Sequence, residues 1–180
     1  MDKMLVIFFS RAGENYVNGK IKYLKLGNTE YIAEQIVKLT GADSFRIERK
    51  VPYPADYCRC IDFAKREQIE GIRPKLLVMP EGLEKYNVIF LGYPVYWNTM
   101  PMPLYTFLEN ADLSNKHIFP FCTYECEGAG NSIADLWRLC AASVIGQELV
   151  IKGSYVKYEI STIKNWVSNC VSVQKISKVV

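Results

Sequence analysis

The chain has 180 residues, 49% of them hydrophobic and 23% charged, which is an ordinary globular composition at the usual length of one domain. A formal charge of +3, carried by scattered basic residues, gives no electrostatic case for nucleic acid. The first apolar run, residues 4–9, is too short for a signal-peptide core or a membrane span. The sequence therefore reads as a cytoplasmic protein with an intact N-terminus and no membrane partner.

Residues 4–10 (MLVIFFS) are nearly all apolar, as a strand buried on both faces of a parallel sheet should be. Residues 14–27 follow, with the hairpin-turn pair Asn18-Gly19 between Tyr16-Val17 and Lys20-Ile21. A helix is predicted over 28–39, with Ile32, Ile36 and Leu39 on one stripe and Gly41 as its stop. Residues 44–49 alternate as an edge strand, and Pro54 suits the first turn of a helix running to about Glu70. Residues 72–86 are irregular.

A second buried strand spans 87–92 (NVIFLG), and Pro103 opens a short helix to Leu108. The run 117–123 (HIFPFCT) is a further strand despite Pro120, which cannot donate to a ladder and implies a local distortion. Asn131 or Ser132 can cap a helix with Ile133, Leu136, Trp137 and Cys140 on one stripe. Residues 148–152 form a fifth strand, and Ser161 or Thr162 caps a last helix with Ile163, Trp166, Val167 and Cys170 inside. Five alternations of strand and helix predict an α/β fold: one domain, three layers, a doubly wound parallel sheet and a hairpin-like insertion at about 14–27.

The six cysteines include no C-x-x-C pair, and His117 is the only histidine, so no metal site is predicted. Most of the cysteines read as small core residues or free thiols. Cys126 is set apart by its place in a loop next to the expected site.

In such sheets ligands bind beyond the carboxyl ends of the strands, where strand order reverses. Three loops lie there. The first, Ser10-Arg11-Ala12-Gly13, leads to a helix opening at Asn28-Thr29. Its hydroxyls and the helix N-terminus suit a phosphate, and it reads equally as an ordinary capped turn. It matches neither the nucleotide-triphosphate loop nor the dinucleotide fingerprint. The second loop holds Pro94, Val95, Tyr96, Trp97, Asn98 and Thr99. Its adjacent rings suit stacking on a planar ligand or covering a helix. The third holds Thr123, Tyr124, Glu125, Cys126 and the glycines Gly128 and Gly130, which allow close backbone approach. Together they describe a phosphate pocket joined to a planar slot, the shape of flavin mononucleotide (FMN).

These motifs resemble the flavodoxin family over nearly the whole chain: Phe9-Ser10-Arg11-Ala12-Gly13, Gly27-Asn28-Thr29, Gly92 through Pro101, and Pro120-Phe121-Cys122-Thr123 with Gly128 and Gly130. The set is more similar to the flavodoxin-like FMN-binding proteins of anaerobic and fermentative bacteria than to the short electron carriers. The resemblance implies a five-stranded sheet in the order 2-1-3-4-5 and bound FMN. It implies phosphate contacts from Ser10, Arg11, Ala12, Gly13, Asn28 and Thr29. It implies ring contacts from Pro94, Val95, Tyr96, Trp97, Asn98 and Thr99 on one side, and from Thr123, Tyr124, Glu125 and Gly128 on the other. Three features depart from the pattern: the inserted residues 14–27, Asn98 where related chains often have Gly, and a pI of about 8.4 where electron-carrying flavodoxins are acidic.

The expected function is non-covalent flavin redox chemistry, as an electron carrier with a redox partner protein. One alternative is an NAD(P)H-dependent FMN or quinone reductase using a small acceptor. A receiver domain would need clustered aspartates where Ser10-Arg11 stand and an aspartate where Gly92-Tyr93 end the third strand. A flavin-free interaction or signalling domain on the same fold is the remaining rival. No acid–base catalyst stands out. If the insertion forms a hairpin, its ends meet, the split loop is whole in space, and the insert leans over the ligand through Tyr16.

Overall fold

The computed structural model describes residues 3–126 and 128–176. Strand β1 (Met4–Phe8) lies between β4 (Asp43–Arg46) and β5 (Val88–Pro94), and β6 (His117–Tyr124) pairs with β5, all in parallel. The far edge beside β6 is shared by two short parallel strands, β7 (Val144–Ile145) and β8 (Leu149–Lys152). The predicted order 2-1-3-4-5 is therefore present, with β7 as a sixth strand that two residues were too few to announce. A separate two-stranded antiparallel sheet, β2 (Gly13–Val17) and β3 (Lys20–Leu24), forms the hairpin. Asn18 and Gly19 turn it with φ of 50° and 81°, the left-handed pair of a type I′ turn.

Strand alternation divides the core in two. Leu5, Ile7, Ile89 and Leu91 face α3 (Met102–Asn110) and α4 (Ser132–Leu139). Val6, Phe8, Phe90 and Phe121 face α1 (Asn28–Thr40) and α5 (Ile160–Ile176). These continuous apolar runs are legible because each strand buries both faces. The split edge also accommodates Pro120. Ile118 O accepts from Gly146 N across 2.8 Å, and Phe121 pairs with Leu149. Residue 120 points to the same side as 118, into the break between β7 and β8, where no ladder donor is required.

Several boundaries differ from expectation. Helix α2 (Tyr57–Ile69) starts after Pro54, because Asp56 caps it by accepting Arg59 N at 2.8 Å. The edge strand stops at Arg46, and the chain turns away so that Arg49 bridges Leu76. Helix α5 begins at Ile160, so Ser161 and Thr162 lie inside its first turn, where Thr162 bonds the Glu159 carboxylate. The core stripe of α5 is as predicted, but Trp137 of α4 is 55% exposed. That helix is only eight residues long and is anchored by buried Leu136, with Cys140 at its C-cap. No helix among the described residues is long and apolar enough to cross a membrane.

Candidate functional site

A cleft of about 360 Å³ opens beyond the carboxyl ends of β1, β5 and β6, the place the sheet topology dictates. The structure brings to it Ser10, Arg11, Asn28, Thr29, Pro94, Val95, Tyr96, Trp97, Asn98, Thr123, Tyr124 and Glu125. Four other sequence-derived candidates do not line it. Ala12 and Gly13 border a neighbouring cavity of about 670 Å³, which also borders Ser10 and Arg11. Thr99 is buried beneath its turn, where its hydroxyl bonds Asp135 at 2.6 Å and Tyr105 at 2.8 Å. Gly128 lies further along its loop, outside the cleft lining.

At the polar end the divided loop closes on itself. A Cβ at Gly27 would stand 2.2 Å from Ser10 Oγ and 2.7 Å from Arg11 O, so only glycine admits this contact. Ser10 Oγ accepts the N–H of Glu30 at 3.1 Å. It thereby caps α1 from another element, while the N-cap residue, Gly27, has no side chain to do so. Thr29 and Thr123 join their hydroxyls at 2.8 Å, fastening α1 to the end of β6. Asn28 and Thr29 turn the first helical residues of α1 to the cleft, where backbone N–H groups lack intrahelical acceptors and the dipole is positive. Glu125 stands at the same end. Its Oε1 is buried without a hydrogen-bond partner, and the space beside Gly153 brings it near the Asn28 amide.

The aromatic end is built on a tight turn. Tyr96 and Thr99 exchange backbone hydrogen bonds of 2.8 and 3.1 Å, and Trp97 and Asn98 sit between them with φ of 47° and 67°. The second of these left-handed positions is one that Asn98 can hold, since Asn tolerates this region. A bulky aromatic there is uncommon. Trp97 is held in it from outside: its indole N–H donates to Ile61 O at 2.8 Å, Gln68 donates to its carbonyl at 2.9 Å, and the Lys65 ammonium lies 4.5 Å over its ring. Both expected roles coincide, since Trp97 covers α2 and also lines the cleft, remaining 41% exposed.

Tyr96 is packed edge-on by Phe9 and Tyr53, with ring centroids 6.4 and 6.1 Å away. Tyr53 is fixed in turn by Glu67, whose carboxylate accepts from its hydroxyl at 2.7 Å and from Arg49 at 2.6 Å. The Arg49 guanidinium lies 4.0 Å over the Tyr53 ring. Burial raises the Tyr53 and Tyr96 hydroxyls above the ordinary phenol range, so both remain neutral donors.

Sequence reasoning missed the contribution of α2. Tyr57, Cys60, Ile61 and Ala64 form a wall of the cleft, as do Asn15, Cys126 and Gly153. Nothing local marks those helix residues, because only tertiary packing brings α2 beside the second loop. Burial also pushes the Cys60 thiol up, so it is no ready nucleophile. Among the described residues no cluster of His, Cys, Asp or Glu is arranged to hold a metal ion.

The sequence model of the flavodoxin family matches residues 20–170. No curated protein matches the sequence. Among solved structures, a candidate flavoprotein from Bacteroides uniformis superposes with a TM-score of 0.70 at 23% identity, covering 93% of this chain and 98% of the other. A flavoprotein from Lactobacillus acidophilus in complex with FMN gives 0.64 at 17% identity, covering 88% and 98%. A flavodoxin from Fusobacterium nucleatum bound to FMN gives 0.56 at 9% identity, covering 96% and 98%. At these identities the likeness is one of fold.

Proposed function

The chain belongs to the flavodoxin family, and from that premise we propose that it binds FMN non-covalently in the cleft and works as a flavin redox protein. The observation that carries this reading is the joining, in one cleft, of the α1 N-terminal turn with the Tyr96-Trp97 and Thr123–Glu125 loops. The residues fit the group. Hydroxyls of Ser10, Thr29 and Thr123, the Asn28 amide and the helix N-terminus suit a phosphate monoester. The unpartnered Glu125 Oε1 suits a hydroxyl donor of the ribityl chain, since a buried acceptor without a partner is costly. Pro94, Val95, Tyr96 and Trp97 supply an apolar and aromatic wall for the ring.

Bound FMN supplies one- and two-electron redox chemistry. The chain's own part is to bind, to orient and to exclude water. Thr29 and Thr123 hold α1 against β6, Ser10 fixes the first turn, and the Glu67–Tyr53 pair keeps Tyr96 in place. The physiological partner is either a redox protein or NAD(P)H with a small acceptor.

Purified protein should be yellow, and heating should release a flavin that chromatographs as FMN. Colourless protein that takes up no FMN on titration would overturn the reading. Anaerobic addition of NADH or NADPH then separates the subclasses: rapid bleaching marks a reductase, and unchanged colour marks a carrier.

A further inference from the structure

The β2–β3 hairpin is fastened at points on both sides of the cleft. The Arg11 guanidinium donates to the carbonyls of Glu14, Pro54 (3.0 Å) and Ala55 (2.6 Å). The Glu14 carboxylate accepts the N–H of Tyr57, at the start of α2, at 2.9 Å. The Tyr16 ring lies over that of Tyr57 with centroids 6.1 Å apart and planes inclined by 19°. At the tip, Asn18 N–H donates to Glu125 at 3.4 Å. The hairpin thus runs from the first loop, past the start of α2, to the loop after β6. Asn15 and Tyr16 become part of the cleft lining, and Val17 is buried. Five residues per strand give a strip about 16 Å long and two strands wide.

We propose that this hairpin is a size filter over the flavin cleft, with Tyr16 as its specificity-determining residue: it admits small planar acceptors of the quinone class and keeps protein surfaces away. The proposal rests on the FMN reading and narrows it toward small-molecule chemistry. A protein acceptor must bring its own cofactor close to the flavin, and the strip stands in that approach. A small planar molecule can pass beside it and lie against Tyr16 and Tyr57, whose flat faces favour offset stacking. The outer strand carries exposed Ile21 and Tyr23 on either side of Lys22, a solvent-facing surface rather than a core.

The test compares FMN-loaded wild type with Tyr16→Ala and with a variant in which residues 14–26 are replaced by two glycines, a junction that the closeness of Gly27 to Arg11 allows. Menadione binding to the oxidised protein is measured by equilibrium dialysis, where both partners are oxidised and no electrons pass. Dithionite-reduced protein is then mixed anaerobically with menadione, which takes two electrons and two protons to the quinol, or with cytochrome c, which takes one electron per haem. Tyr16→Ala should weaken menadione binding about tenfold. Wild type should reduce cytochrome c at least about tenfold more slowly than the shortened variant does. Unchanged menadione binding in Tyr16→Ala, or equal cytochrome c rates in wild type and the shortened variant, would overturn the filter while leaving FMN binding intact. If the shortened variant does not fold, amide hydrogen exchange across residues 14–24 in Tyr16→Ala decides: faster exchange together with faster cytochrome c reduction supports the filter, and faster exchange at an unchanged rate overturns it. Wild type that takes up no FMN overturns both readings.

Discussion

The backbone N–H of Asn18, at the hairpin tip, donates to Oε2 of Glu125 on the loop after β6, while the other oxygen of that carboxylate is buried without a partner. One side chain therefore holds the hairpin down and leaves an acceptor for a ligand. A charge-assisted hydrogen bond contributes about 1.5–3 kcal/mol. Glu125→Ala should weaken FMN and riboflavin binding together, by about tenfold or more, because both carry the ribityl chain. Fluorescence titration with the two flavins checks this. If the carboxylate opposes the phosphate instead, FMN will bind more tightly to the variant and riboflavin will not change.

Gly27 is the hinge on which the divided loop closes. Its Cβ position lies within 2.2 Å of the Ser10 hydroxyl, and that hydroxyl caps α1 through Glu30 N. Gly27→Ala must displace one or the other, and forced overpacking of this kind costs about 1–3 kcal/mol. Thermal unfolding should move down, and FMN affinity should fall with it. Wild-type affinity in the variant would show that the polar end of the cleft does not hold the phosphate.

The sheet was legible because β1, β5 and β6 are apolar on both faces, and the hairpin because Asn18-Gly19 is the strongest short turn signal. That turn pairs Gly13 with Leu24, and the capping of α1 by Ser10 completes the convergence of Gly27 on Ser10 and Arg11. What local sequence does not encode is which helix packs beside a loop. Tyr57, Cys60 and Ile61 enter the cleft through tertiary ties, with α2 clamped to Trp97 through Ile61 O and Gln68 and its first turn held by Glu14. Likewise Thr99 reads as a loop hydroxyl, yet Asp135 and Tyr105 draw it beneath the turn.

Arg49 and Glu67 form a buried ion pair, with side chains 7% and 4% exposed. Removing one partner strands the other charge at a cost of about 3–5 kcal/mol, whereas replacing both with apolar residues of similar volume is often nearly neutral. Glu67→Gln should therefore lower the midpoint of denaturant unfolding far more than Arg49→Met/Glu67→Met does. Both should loosen Tyr53, which loses its carboxylate acceptor, and with it the support for Tyr96. Equal losses in the single and double variants would mean that the pair does not act as a unit.

The network under the second loop gives the fold a pH dependence at both ends. Burial, then the hydrogen bond to Asp135, pushes the Tyr105 phenol up to about 12. Burial alone would raise the Asp135 carboxyl, but hydrogen bonds from Thr99, Tyr105 and Arg138 together hold it below its ordinary value. The raised phenol contributes stability that is complete below the unfolded phenol value of about 10 and is lost as pH rises toward 12. The lowered carboxyl contributes stability present above the unfolded aspartate value of about 3.9 and lost as pH falls through its folded one. Tyr105→Phe should flatten the alkaline limb of the stability profile, and Asp135→Asn should flatten both, since it also removes the acceptor that raises Tyr105. An unchanged alkaline limb in Tyr105→Phe would assign that limb to other buried phenols such as Tyr53 and Tyr93, which burial also raises.

All six cysteines are free thiols, and only Cys58 and Cys126 are exposed. Burial pushes Cys140 up to about 11 and Cys122 and Cys170 to about 12. At pH 8 a thiol with a pKa of 11 is about one part in a thousand thiolate, the reactive form. A thiol-specific disulfide reagent should therefore find two fast-reacting groups in the native protein and six after denaturation. Cys126 lines the cleft and Cys58 does not. FMN should slow the labelling of Cys126 and leave Cys58 unchanged, as peptide mapping of the modified protein would reveal. Equal labelling of both with and without FMN would place the flavin away from the loop after β6, and with it away from Glu125.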